Sequence, residues 1–241
     1  MLIDLHAHSS GISKCCRIPI EEVLLAARRV GIDGVVLTNH YQKNYVTDGD
    51  YAAFARRYVE EFHHAQACAE ELGARVFFGI EVTAERHPGV HLEIYGVEEQ
   101  FILDYPEIFE LTQEEMYRLV KERGGYLVQA HPYRRGDRLL DVNYLDGIEI
   151  NCHPLYEATH FAALKQIAQD AGILLTCGGD FHADTHRARC GVYLPDELRD
   201  TKEILQYLDA SESIRLCVQE VDSMEWRDEI YVRKCREDVC K

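Results

Sequence analysis

Imidazole and carboxylate side chains recur at the ends of short apolar runs along this 241-residue chain. The first run closes on Asp4-Leu5-His6-Ala7-His8. Side chains alternate on an extended backbone, so His6 and His8 point the same way and can share one ion. Later runs carry Thr38-Asn39-His40, Gly79-Ile80-Glu81, Ala130-His131-Pro132 and Gly178-Gly179-Asp180-Phe181-His182. A single histidine at a strand end is ordinarily a solvated or structural residue, but five metal-capable strand ends in one chain form a pattern. Imidazole with carboxylate suits zinc, manganese or iron, and no CxxC pair marks a closed thiolate zinc site. Several ligands around a shared carboxylate suit a multinuclear catalytic centre.

Such groups act together only if the fold gathers them. β-rich runs are expected at 2–5, 34–38, 75–82, 125–130, 147–150, 172–177 and 191–194, with a further strand at 214–218. Helical spacing of apolar residues predicts helices at 19–30, 50–72, 112–123, 155–171 and 198–208. Pro19 and Gly31 punctuate the first helix, and Thr112 with Glu115 has the form of a capping box. This alternation predicts an α/β fold with a mainly parallel sheet. A barrel brings every strand end to one face. An open doubly wound sheet is the alternative, but no GxGxxG follows the first strand. Segments 41–48 and 85–89 are expected to be mobile loops at the site.

The ordered series DLHAHSS, LTNH, GIEV, a histidine in HLEIYG, AHP and GGDFH resembles the motif set of the PHP (polymerase and histidinol phosphatase) superfamily. The resemblance spans residue 1 to about 194 and implies a distorted (β/α)7 TIM-like barrel with a di- or trinuclear metal centre of zinc, manganese or iron. It implies a metal-dependent phosphoesterase in which a metal-bridged hydroxide attacks a phosphate ester. Carried over by position, His6, His8, Glu81 and Asp180 would hold one ion, and Glu81 would bridge to a second held by His91 and His131. His40 and His182 would serve a third. Glu81, Asp180 and His182 would also act in catalysis, with His182, where the third site is empty, as a candidate proton donor to the leaving oxygen. His91 is preferred over His87 because it begins an alternating apolar strand, whereas His87 precedes Pro88 in a polar turn. Relatives with three ions usually carry another His or Asp soon after the first pair. Here that stretch reads Ser9-Ser10-Gly11-Ile12-Ser13-Lys14-Cys15-Cys16, leaving Cys15 or Lys14 as substitutes, or a weak third site.

Arg134 and Arg135 follow His131-Pro132, and Arg187 and Arg189 follow His182. A planar guanidinium suits bidentate recognition of phosphate, so one arginine from each loop is an expected clamp. Pairing with Asp137 or Asp184 is the bland alternative. His153, just past the fifth strand, is a further candidate substrate contact, as are Tyr133 and His186; His160 reads as an ordinary helix-face residue.

A net charge of −16 argues against an extended nucleic-acid-binding surface. It leaves room for a small phosphorylated substrate or short nucleotide if metal ions dominate the pocket field. With 46% hydrophobic and 28% charged residues, the chain can bury a core as one barrel-type domain over 1–241, in which 195–241 forms a helical and strand extension. No leader-like start and no long apolar run stands in it, so a cytoplasmic, non-membrane protein is expected. The nine cysteines are odd in number and dispersed, which fits reduced thiols, with Cys68, Cys152, Cys177 and Cys217 in the core. Two rivals remain. An amidohydrolase-type enzyme also opens with an HxH pair on a barrel strand, and a noncatalytic metal-binding regulatory module would keep ligands without turnover.

Overall fold

A computed structural model describes residues 1–136, 138–154, 159–183, 187–220 and 225–233. In the first half the order is β1 (Leu2–Ala7), α1 (Ile20–Arg29), β2 (Gly34–Leu37), β3 (His40–Tyr41), α2 (Tyr51–Leu72), β4 (Arg75–Phe78), β5 (Ile80–Thr83), β6 (His91–Tyr95) and α3 (Gln100–Asp104). Then follow α4 (Gln113–Glu122), β7 (Tyr126–Gln129), β8 (Gly147–Asn151), α5 (Phe161–Ala171), β9 (Leu174–Gly178), β10 (Gly191–Tyr193), α6 (Thr201–Ala210), β11 (Ser213–Gln219) and β12 (Trp226–Val232).

These strands form two six-stranded sheets, ordered β12-β11-β10-β1-β2-β4 and β3-β5-β6-β7-β8-β9. The sheets share a broken strand pair. Parallel pairing of Leu37 with Phe78 gives way to pairing of His40 with Glu81, across an interruption at Gly79. Glycine is required there: a Cβ would stand 2.7 Å from Val36 Cγ1 and 2.8 Å from Thr38 Cγ2. The buried Tyr58 hydroxyl sits at the break, 2.7 Å from Asn39 O and 3.0 Å from Gly79 O. At the other side, Asp180 N donates to His6 O (2.9 Å) and His8 N donates to Phe181 O (3.2 Å). Those bonds lay the segment after β9 along β1.

The sheet is less parallel than the strand–helix alternation predicts. β6 runs antiparallel to both β5 and β7. The link from Thr83 to His91 is too short for a parallel crossover, which needs a dozen residues or more. The run expected at 191–194 is β10, antiparallel to β1, and β11 and β12 extend that edge in antiparallel fashion. Segment 41–48 is not a bare loop: Tyr41 belongs to β3 and is fully buried, and Lys43–Tyr45 form a 3-10 turn.

The helices follow local chemistry. α1 buries Ile20, Val23, Leu24 and Ala27 on one stripe and places Glu21 and Glu22 in its first turn and Arg28 and Arg29 in its last, matching the helix dipole. The Thr112–Glu115 capping box is present at the start of α4. Asp50 caps α2 through Ala53 N (2.8 Å), and Gly73, at φ 60°, ends it. α5 begins at Phe161, and residues 155–158 of its expected start lie outside the described residues. One large core includes Ile3, Leu5, Val36, Ile80, Leu92, Ile94, Ile148 and Leu175. A second, with Leu2, Val35, Val23, Leu24, Ala65 and Ala69, seats α1 and α2 on the first sheet. No described helix is long and apolar enough to cross a membrane.

Candidate metal centre

Asp4, His6 and His8 on and after β1 are completely buried, as are Glu81 on β5 and Asp180 after β9. The pairing of β1 with β2 shifts register between Asp4 and Ala7, the kind of irregularity that re-aims side chains near a site. His6 Nε2 stands 3.0 Å from His8 Nε2 and 3.4 Å from both Glu81 Oε1 and Asp180 Oδ1. His8 Nε2 stands 3.0 Å from Asp180 Oδ1 and 3.5 Å from Glu81 Oε2. Ligands about 2.0–2.1 Å from one ion in tetrahedral array are about 3.4 Å apart. The four groups therefore have the mutual spacing of a single coordination shell.

Ring orientation supports the same fit. His6 Nδ1 lies 2.9 Å from Glu149 Oε1 and 3.0 Å from Glu93 Oε1, and His8 Nδ1 lies 3.1 Å from Ser13 Oγ. With Nδ1–H donated to these acceptors, each Nε2 points toward the other and toward two carboxylates, an arrangement that draws in positive charge, either a proton on a ring or a metal cation. The charge balance agrees. Burial works against the charged form of His6, yet Glu149, Glu93, Glu81 and Asp180 hold its pKa well above the usual imidazole value. Burial likewise opposes ionised Glu81, but His40, His91 and His6 keep it well below the carboxylate range. For Asp180 burial is again outweighed, by His6, His182 and His8.

Glu81 reaches further. Its Oε1 is 2.8 Å from His91 Nδ1 and 3.2 Å from His131 Nε2, and its Oε2 is 2.5 Å from His40 Nδ1. His40 Nδ1 and Glu81 Oε2 are both buried without a hydrogen bond. They are near but not aligned as donor and acceptor, which is how two ligands of one ion sit. Beyond them, the His8 ring lies 4.4 Å from that of His40 and 4.3 Å from that of His182. His182 donates from Nδ1 to Asp180 O (2.7 Å), leaving Nε2 3.1 Å from Cys15 Sγ. Burial raises the Cys15 pKa, but hydrogen bonds with His182 and His40 bring it down to about 6. The groups that lie within one ligand span of each other include His6–His8–Asp180, His6–Glu81–His131, His40–Glu81–His91 and His8–His40–His182.

The backbone is strained at the same place: His131, Tyr133, Arg135 and Asp180 have φ of 33°, 70°, 48° and 48°. Non-glycine residues keep such angles only where surrounding contacts impose them.

All eight residues expected as ligands are thus brought together, and His91 rather than His87 faces Glu81. His87 Nδ1 instead pairs with Arg138 Nη2 at 3.0 Å. The arginines divide. Arg134 Nη1 donates to Asp180 Oδ2 at 3.2 Å and remains partly exposed, and Arg135 is exposed on the same loop. Arg187 is half-buried with its side chain turned inward, Nη1 donating to Asp4 Oδ2 at 2.9 Å. Arg189 is a correction: its Nη1 donates to Val30 O (2.5 Å) and Gly31 O (3.1 Å), between α1 and the start of β2, and its guanidinium covers Trp226. Val30 and Gly31 lie at the opposite ends of the strands from the histidines, so a phosphate clamp cannot include it. His153 is buried, its ring 6.2 Å from that of His182, and Tyr133 packs against His160. Asp137, Asp184 and His186 lie outside the described residues.

Sequence reasoning missed the supports. Glu149 Oε2 accepts from His131 N (3.0 Å) and Asn151 Nδ2 (3.1 Å) while Oε1 fixes His6. Glu93 is fully buried beside it, and burial together with the Glu149 charge pushes its carboxyl up to about 8. Asp4 Oδ1 accepts from His6 N (3.1 Å) and Gly179 N (2.9 Å). Asn39 Oδ1 accepts from Ser9 N and Ser13 Oγ, both at 2.8 Å, so it braces the loop behind His8. A glutamate inside the apolar runs HLEIY and GIEIN was the available signal, because a buried charge survives only with partners.

No protein-family profile matches the chain. An uncharacterized protein of Methanocaldococcus jannaschii is 31% identical over 165 residues, 62% of this chain and 81% of that protein. A two-domain protein from Bacteroides vulgatus, described as containing a predicted PHP-like metal-dependent phosphoesterase, superposes with a TM-score of 0.63 at 16% identity, covering 98% of this chain and 88% of that one. An amidohydrolase from Chromobacterium violaceum, with bound sulfate and no metal, gives 0.56 at 18% identity, covering 87% and 96%. At these identities the solved structures speak for the fold. The chain belongs to the same family as the archaeal protein, and it carries its ordered histidine and carboxylate series on the fold of these solved structures.

Proposed function

We propose that the protein is a metal-dependent hydrolase that cleaves a phosphate ester of a small substrate or short nucleotide. The observation that carries this reading is Arg134, whose guanidinium stands at the rim of the imidazole–carboxylate centre, 3.2 Å from Asp180 Oδ2. His6, His8, Glu81 and Asp180 would hold one divalent ion, Glu81 with His91 and His131 a second, and His40 with His182 and Cys15 a third. Zinc, manganese or iron fits this donor set. When bound, such ions would activate water and offset charge on the phosphoryl oxygens.

The chain's own groups supply orientation and proton handling. Arg134 would bind a phosphoryl oxygen and fix it for in-line displacement. Glu149 and Ser13 hold the His6 and His8 rings through their Nδ1 atoms, so the geometry is set before substrate arrives. Burial disfavours charge on His182, but Asp180 raises its pKa above the usual value, so with the third site empty His182 Nε2 would be free to carry a proton to the leaving oxygen. The hydrogen bonds between the end of β1 and Phe181 and the broken strand pair at Gly79 support closure of the sheets as a distorted (β/α)7 barrel, and the same reading takes 1–241 as a single domain of a cytoplasmic protein.

The test is a panel of phosphomonoesters and phosphodiesters, with amides and carboxylic esters alongside, against manganese- and zinc-loaded protein. Turnover of phosphoesters that stops on chelation is expected. Turnover of amides alone would overturn the phosphate reading in favour of an amidohydrolase, and a metal-loaded protein that hydrolyses nothing would favour a binding module.

A further inference from the structure

Away from the centre, α1 and α2 bring a different donor set together. Glu21 stands in the first turn of α1, and His64 and Cys68, four residues apart, share one face of α2. His64 Nε2 is 3.2 Å from Glu21 Oε1, and Cys68 Sγ is 3.7 Å from both ring nitrogens of His64. All three ligand atoms lie within 4.8 Å of one another. Glu21 Oε2 is buried without a hydrogen bond, although about half of each of the Glu21 and His64 side chains is exposed.

We propose that Glu21, His64 and Cys68 form a second metal site, a three-ligand clamp for a borderline divalent cation such as zinc that ties α1 to α2. With bond lengths of about 2.3 Å to sulfur and about 2.0–2.2 Å to nitrogen or oxygen, tetrahedral ligands stand about 3.6 Å apart for S and N, and about 3.4 Å for N and O. The observed 3.7 and 3.2 Å match both. One thiolate, one carboxylate and one imidazole neutralise a dication, and the mixed soft and hard donors select zinc-like ions over magnesium or calcium. The exposed side of His64 leaves a fourth position for water.

The surroundings explain why a clamp belongs here. Cys68 had the look of a plain core thiol, and its backbone does sit in the second core with Ala65 and Ala69. Its sulfur also reaches the half-exposed Glu21 and His64 at the edge of that core, and burial and the Glu21 charge hold the thiol up to about 11. Binding an ion therefore releases a proton. On the same face of α2, one turn before His64, Glu61 accepts from Ser9 Oγ at 2.5 Å, and Ser9 is held by Asn39 behind His8. An ion on α1 and α2 would stiffen the support of that loop without touching the catalytic ligands.

The experiment uses full-length Cys15→Ser protein, so that the exposed thiol near His182 cannot contribute, titrated with Co(II). Thiolate-to-cobalt absorption should appear, and Cys68→Ser in that background should abolish it and lower the bound cobalt by one equivalent. His64→Ala, at a half-exposed position that folding does not need, should weaken the same equivalent by more than the ~10- to 100-fold typical of outer-shell changes. Both variants should keep the hydrolytic activity of their parent, which separates this site from the catalytic reading. Unchanged stoichiometry and absorption in both variants would overturn the proposal, leaving a hydrogen-bonded trio.

Discussion

The inner and outer parts of the metal centre are built to different standards. The inner groups His6, His8, Glu81 and Asp180 are buried to within 1% of full coverage, and the Nδ1 atoms of both rings are anchored, on Glu149, Glu93 and Ser13. The outer group joins His40, His182 and Cys15, with the His40 and His182 side chains 10% and 15% exposed and Cys15 open to solvent. Donors fixed by buried hydrogen bonds cannot relax when the ion leaves, so they bind tightly. Donors nearer the solvent can rearrange more easily, and an ion they held would exchange more readily. The difference teaches that the pre-organisation of the candidate ligands is graded from the strand ends outward.

The strongest way to break this contrast is Glu81→Gln, which removes charge at the junction of the two parts while keeping shape. Turnover should fall by more than the ~10²- to 10³-fold that loss of one oxyanion-hole donor costs, with metal content reduced and the circular dichroism spectrum retained. Wild-type turnover with full metal content would show that Glu81 is not the shared ligand.

A smaller effect separates Arg134 from the arginine that the fold turns away. Arg134→Ala should weaken competitive inhibition by inorganic phosphate ~10- to 100-fold, the loss of one charged hydrogen bond, and Arg134→Lys should restore only part of it. Arg189→Ala should leave the inhibition constant unchanged. Equal behaviour of the two alanine variants would remove the argument for phosphate.

Ser13→Ala tests whether anchoring makes the inner part tight. Freed from its Nδ1 partner, His8 should lose metal affinity by about 10-fold, the low end for an outer-shell group, as measured by chelator competition. No change would place the tightness elsewhere.

Cys15→Ser should have the least effect on turnover. Its signature is in pH. The thiol is lowered from 9.0 to about 6 in the folded metal-free protein, so its pairing with imidazolium contributes stability that is complete above pH 9 and is lost as pH falls through about 6. The melting temperature of metal-free parent minus that of Cys15→Ser should therefore shrink on acidification and vanish below that range. A difference constant with pH would mean that Cys15 is an ordinary thiol.

Much of this was legible before any coordinates. Period-two spacing put His6 and His8 on one side, apolar runs placed Glu81, His131 and Asp180 near strand ends, and Thr112 with Glu115 announced the start of α4. These are local matters: alternation, capping and helix spacing depend on neighbours within a few residues, so the chain displays them directly. The antiparallel β6, the placing of Glu149 and Glu93 under His6, and the contrasting fates of Arg134 and Arg189 were not displayed. Each depends on which distant segment lies opposite, as when Glu149 meets His6 across 143 positions of sequence. The union of Glu21 with His64 and Cys68 is of the same kind, since only the packing of α1 on α2 makes a thiol, an imidazole and a carboxylate neighbours. By itself the sequence determined which groups could do chemistry and which way a strand turns them. Tertiary packing alone decided which were buried together, because burial turns a carboxylate and an imidazole from solvated surface groups into ones that must find charge.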